Sequence, residues 1–111
     1  MYNLIVLAAR PPDWTHDRFI QWWRGPHAEA TLALPGLRAW RHTEIEGRLA
    51  ERDGEWDGLS CLSFDSRAAL DAALASPEWA AAVAQVGDMR GRRIALTGTE
   101  ADMFALAGRT P

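Results

Sequence analysis

Lysine is missing from this 111-residue chain, whose 12 basic residues are all arginine, and cysteine occurs once, as Cys61. A single cysteine excludes an intramolecular disulfide framework and fits a reducing compartment, so the expected location is the cytoplasm. Long hydrophobic runs are also scarce. The apolar stretch near the start, Leu4 to Ala9, is six residues without a basic segment before it. That is too short for a signal-peptide core or a membrane span, so no membrane association is expected. Net charge is -3, and the cluster Arg90, Arg92, Arg93 has no interleaved aromatics, so it reads as a solvated loop and no nucleic-acid partner is implied. His16, His27 and His42 lack the close spacing of a metal site. Gly-Pro-His and Gly-Arg-Arg do not make a phosphate loop. Neither a metal nor a nucleotide cofactor is expected.

What the chain does have is tryptophan, six residues in a composition that is 48% hydrophobic and 24% charged, the profile of a folded protein with a bulky interior or pocket wall. Its length fits one domain, residues 1–111. NLIVLAA (3–9) reads as a buried strand ended by Arg10-Pro11-Pro12-Asp13. Thr15 is an N-cap and Asp17 suits the first turn of a helix running from about His16 to Leu34, kinked or split at Gly25-Pro26. After Pro35-Gly36, LRAWRHTEIE alternates as a second strand, and the charged 46–55 segment is an exposed loop. Gly58 to Phe64 is a third strand. Asp65 or Ser66 caps a helix through RAALDAALAS, Pro77 opens PEWAAAVAQV, Gly87 to Arg93 is a loop, and RIALTGTE is strand four. Residues 101–111 form a short apolar segment and a frayed end.

The order β-α-β-β-α-β predicts an α+β, ferredoxin-like fold with an antiparallel four-stranded sheet and two helices on one face. LIVLAA carries apolar side chains on both faces, as do Leu59 and Cys61 set against Leu62 and Phe64, so the face without helices needs a cover. A second copy of the chain, packed sheet to sheet, is the expected cover and makes a homodimer.

Helical spacing also picks out a histidine. Phe19, Trp23, His27 and Ala30 follow at steps of four, four and three within FIQWWRGPHAEA, so the imidazole points where the aromatics pack. Such a group is either a general acid/base or a core histidine bonded to a backbone carbonyl of the broken helix. Asp57, at the start of strand three, either orients His27 or closes an Asp-Gly turn. Trp23, Phe19, Trp56 and Trp40 either wall a pocket for a flat ligand or pack the core. Cys61 is a pocket group only if exposed there with a depressed pKa; otherwise it is buried and inert.

The set LIVLAARPP, FIQWWRGPHA, LPGLRAW, WDG (56–58), FDS (64–66) and ALASPEW (73–79), spread over roughly residues 3 to 100, resembles the EthD-like family of the dimeric α+β barrel superfamily. The resemblance implies a ligand pocket between the first helix and the sheet, cofactor-independent chemistry and a functional histidine at His27. It differs at strand three, where Cys61 stands at a position expected to carry Glu. The reading that follows is a small isomerase, cyclase or lyase acting on a hydrophobic cyclic or aromatic metabolite. His27 and Asp57 would be its catalytic groups, and Trp23, Phe19, Trp56, Cys61 and Trp40 its substrate-binding ones. The alternatives are a non-catalytic carrier or accessory protein for such a metabolite, and a haem-dependent oxygenase with His27 as axial ligand.

Overall fold

A computed structural model describes residues 1–49, 55–86 and 91–111. Strand β1 (Tyr2–Ala8) is followed by helices α1 (His16–Arg24) and α2 (Pro26–Leu32), then β2 (Ala39–Glu44) and β3 (Gly58–Phe64). Helices α3 (Arg67–Leu74) and α4 (Pro77–Val86), β4 (Arg93–Thr99) and the single turn α5 (Met103–Leu106) complete the chain. The sheet is antiparallel in the order β2-β3-β1-β4, which is the ferredoxin-like arrangement that the element order predicts. Parts of the two expected loops, residues 50–54 and 87–90, lie outside the described residues.

Each expected helix is a pair. Thr15 Oγ1 accepts from the Arg18 amide at 3.1 Å, with Asp17 in the first turn and Arg24 in the last, so capping and dipole agree on where α1 begins and ends. A Cβ at Gly25 would stand 2.8 Å from the Gln21 carbonyl oxygen, and Pro26 offers no amide hydrogen, so the helix breaks there. In the second pair, Ser66 Oγ accepts from the Ala69 amide at the start of α3, and Ser76 Oγ accepts from the Trp79 amide at the start of α4.

Strand alternation sorts the side chains. Leu4, Val6 and Ala8 of β1 stand opposite Leu62, Ser60 and Gly58 of β3 and face the helices. Leu4, Leu62 and Phe64 bury with Leu34, Leu70 and Ala73, while Ala8, Phe19 and Trp23 form a second cluster. Full burial of each large side chain stabilises the fold by about 1.5–3 kcal/mol. Ile5, Leu7, Leu59, Ile94 and Leu96 lie on the opposite face, where Ile94 is 41% and Leu96 58% exposed. No helix among the described residues is long and apolar enough to cross a membrane.

Candidate functional site

Between the helices and the sheet lies an open cavity of about 70 Å³. Trp23 and His27 from the first helix pair, Trp79 and Val83 from α4, and Trp40 and Ser60 from the sheet are among its walls. Trp79, Ala82, Val83 and Val86 reach it at helical spacing, and Trp40 Nε1 donates to Ser60 Oγ at 3.0 Å, which fixes that indole against the sheet. The cavity opens to solvent, and its apolar walls suit a ring or the end of a larger apolar molecule.

His27 follows the Gly25-Pro26 break, and the break redirects it. The imidazole stacks on Trp22, with ring centres 4.5 Å apart and planes 12° from parallel, while Trp23 stays on the cavity wall. Its Nδ1 is 3.1 Å from Gln85 Oε1, and Gln85 Nε2 donates to the Pro26 carbonyl at 2.6 Å. A carbonyl only accepts, so the Pro26 contact fixes which end of the amide is nitrogen. Oε1 must then accept from Nδ1–H. The basic lone pair of His27 is therefore on Nε2. Burial lowers the His27 pKa; the Gln85 bond opposes this and the nearby Arg93 charge adds to it. The result is a neutral imidazole with one defined basic nitrogen at neutral pH.

A second, polar cluster lies at the other end of α1. Asp57 is 1% exposed. It accepts from the Arg10 amide (2.7 Å), the Arg10 guanidinium (2.7 Å) and His16 Nδ1 (2.6 Å), while His16 Nε2 lies 2.9 Å from Glu44. Burial pushes the Asp57 carboxyl up, but the bonds from His16 and Arg10 outweigh it and hold it below its ordinary value. His16 is raised, first by its bond to Asp57 and then by that to Glu44. His16, Asp17 and Glu44 place ligand-type atoms within 4.8 Å of one another. Both nitrogens of His16 are already engaged by carboxylates, so the cluster as built is a charge clamp joining the start of α1 to β2 and β3.

His42, on β2, is held differently again. Its Nδ1 accepts from Arg24 Nε at 3.0 Å, its buried Nε2 has no partner among the described residues, and its ring lies 4.3 Å from that of Trp23. Burial, reinforced by Arg24 and partly opposed by Glu44, pushes its pKa down to about 4. A Cβ at Gly58 would come within 2.7 Å of that Nε2 and 2.8 Å of Trp23 Cζ3, so glycine is what allows this packing.

Of the residues singled out in the sequence, the structure brings His27, Trp23 and Trp40 together. Asp57 stands apart from His27 because Arg10 and His16 saturate it. His16, isolated in the sequence, is thereby the most heavily paired histidine of the chain. Phe19 is buried against Trp22 and Trp23 and lines no part of the cavity. Trp56 borders the polar cleft beside Asp57, under the Arg92 guanidinium at 4.1 Å. Cys61 falls between Ser60 and Leu62, both on the cavity side, and so faces the other way, where Arg41 Nη2 is 3.7 Å from its sulfur. A carboxylate at that position would not reach His27 within the same chain. Gln85 is a site residue that pattern reading passes over, and Arg93, read in the sequence with Arg90 and Arg92 as a solvated loop, is instead the first residue of β4 and lines the cavity. The one signal for Gln85 is a lone amide in an apolar helix; for Arg93 it is strand alternation, which sets it on the face opposite Ile94 and Leu96.

A ferredoxin-like sheet whose helix-facing side holds an apolar, histidine-bearing cavity defines the class. The EthD domain model matches residues 11–89, and the chain belongs to that family. An EthD family protein from Bacillus halodurans superposes with a TM-score of 0.75 at 24% identity, over 91% of this chain and 99% of that one. A dimeric ferredoxin-like protein of unknown function from Thermobifida fusca gives 0.65 at 20% identity, over 89% and 90%. A point mutant of SnoaB, a cofactor-independent oxygenase from Streptomyces nogalater, gives 0.62 at 14% identity, over 91% and 93%. At these identities the likeness is one of fold. No curated protein matches the sequence significantly.

Proposed function

We propose that this protein is a cofactor-independent enzyme, an isomerase, cyclase or lyase, that moves a proton on a small, hydrophobic cyclic or aromatic metabolite. The observation that carries the reading is His27 itself: a neutral imidazole on the wall of an apolar cavity, its tautomer set by Gln85. Its Nε2 would take a proton from a carbon acid, and the imidazolium would return that proton to a different atom of the same molecule, so no redox partner is needed. Trp23, Trp40 and Trp79 would hold the ring. In this reading Asp57 orders the structure around α1 and takes no part in the proton transfer. The kinship with a cofactor-independent oxygenase fold supports chemistry without a bound group.

A thermal-shift screen of small lactones, phenols and polyketide-like aromatics would find ligands, since binding to the native state raises apparent stability. Hits are then assayed for turnover and for deuterium uptake from heavy water. His27→Ala should retain binding and lose turnover by about 10²-fold or more. Wild-type turnover in that variant overturns the assignment. Saturable binding without turnover or exchange in the wild type would establish the carrier alternative instead.

We infer further that the chain works as a homodimer in the cytoplasm, with the open sheet face covered by a second copy. Exposed Ile94 and Leu96 support this, as do the dimeric ferredoxin-like proteins among its structural neighbours. Light scattering at micromolar concentration should give a dimer, and Leu96→Glu a monomer. A wild-type monomer would sink the inference.

A further inference from the structure

Arg93 is the first residue of β4 and stands opposite Ala8, so its side chain starts from the helix-facing side of the sheet and reaches the cavity that holds His27. Among the described residues its guanidinium makes no hydrogen bond and no ion pair. The other described arginines pair with carboxylates, as Arg10 does with Asp57, lie over aromatic rings, as Arg92 does over Trp56, or have another partner. Among the described residues, no acidic side chain lines the cavity. Arg93 is exposed at the cavity's rim, and its charge presses on His27. Among the described residues no carboxylate answers that charge, so the apolar cleft ends in one cation with room for a ligand beside it. An anionic ligand would supply the counter-charge.

We propose that Arg93 is the anion-recognition residue of this cavity, and that its ligand is a single-ring compound bearing one delocalised oxyanion, a carboxylate or a phenolate. The apolar ring occupies the space among Trp23, Trp40 and Trp79, and the oxyanion meets the guanidinium, whose planar fork suits two oxygens sharing a charge. Three indoles grouped around one opening suit one flat ring. The inference rests on this cavity being the ligand site and specifies what enters it.

The test uses two matched pairs of probes, benzoate against benzamide and 4-nitrophenolate against nitrobenzene, with binding followed by calorimetry on the full chain. Wild type should prefer the anion of at least one pair by about tenfold or more, the range of a charge-assisted hydrogen bond. The pair that discriminates identifies the oxyanion as carboxylate or phenolate. Arg93→Gln should abolish the preference while neutral rings bind as before, and Arg93→Lys should keep part of it. Equal binding of anion and neutral ring in both pairs overturns the proposal, as does a preference that survives Arg93→Gln. Val83→Trp, at an exposed position on the cavity rim, should block every ring probe. If rings still bind that variant with wild-type affinity, the cavity is not the ligand site and the broader reading fails too. If they are blocked but show no charge preference, only the assignment to Arg93 fails.

Discussion

Both ring nitrogens of His16 face carboxylates, 2.6 Å to Asp57 and 2.9 Å to Glu44, whereas His27 sits on an indole with one neutral amide for a partner. The first environment stabilises the imidazolium and raises the pKa; the second disfavours it and lowers the pKa. The difference separates structure from chemistry. In the clamp every charge has a counter-charge, so a proton added or removed there disturbs several bonds at once. In the cavity the only formal charge among the described lining residues is that of Arg93, and the imidazole holds a basic nitrogen ready for use. Two histidines eleven residues apart, with Thr15 and Gly25-Pro26 setting the ends of the helix between them, are thus given opposite tasks.

Breaking the clamp should have the largest effect on stability. Asp57→Ala removes the buried acceptor of Arg10 and His16, which are partly exposed and keep Glu55 and Glu44, and the loss of these charge-assisted bonds should cost about 2–3 kcal/mol. Urea unfolding would measure it. Activity per folded molecule should stay near wild type, because Asp57 lies outside the cavity. A drop in kcat without loss of stability would return Asp57 to the reaction and erase the contrast between the two regions.

The two regions also differ in their response to pH. His16, with its folded pKa raised above the ordinary 6.5, contributes stability that is complete below that value and fades as pH rises through the folded pKa. His42 has the opposite sign. Its folded pKa of about 4 lies below the ordinary 6.5, so its contribution is complete above 6.5 and is lost as pH falls towards 4. His27 shares that direction. Between pH 6.5 and 4.5 the wild type should lose about 1 kcal/mol, since His42 is only partly shielded from water and His16 gains a little over the same window. His42→Leu should remove the larger part of the loss. Unfolding curves at the two pH values would check it, and a variant with undiminished acid sensitivity would assign the effect elsewhere.

How far the sequence reveals these regions depends on the range of the interactions that build them. The element order, the Thr15 cap and the Gly25-Pro26 break follow from spacing over a few residues, whereas the break turns His27 from the Phe19 and Trp23 row onto Trp22. The three-way meeting of Arg10, His16 and Asp57 does not follow from spacing, since it joins residues up to 47 apart through a strand pairing whose register the sequence leaves open. In the sequence Asp57 therefore looks available to His27, whereas in the fold it is saturated by others. Gln85 lies 58 residues from His27, and the contact depends on how α4 settles against α2, which helical periodicity alone does not fix. Cys61 shows the reverse case. Once the strand is paired, alternation alone sends it away from the cavity.

The finest test of the contrast is to give His27 the kind of partner that His16 has. Gln85→Glu replaces the neutral acceptor at Nδ1 with a carboxylate, which stabilises the imidazolium and should raise the His27 pKa by about one unit. The acidic limb of kcat/KM against pH should move up by the same amount, with the plateau little changed. Gln85→Leu removes the group that sets the tautomer, so kcat should fall by roughly tenfold with KM unchanged, the pattern of an interaction that matters in the transition state. The same side chain also ties α4 to the Pro26 carbonyl, so both variants will lose some stability. Removing the Gln85 bond, which raises the His27 pKa, should also move that limb down in Gln85→Leu, and stability loss alone would not move it in opposite senses for the two replacements. A pH profile identical in wild type and Gln85→Glu would mean that the Gln85 contact only braces the helices and that the imidazole takes its protonation state from burial alone.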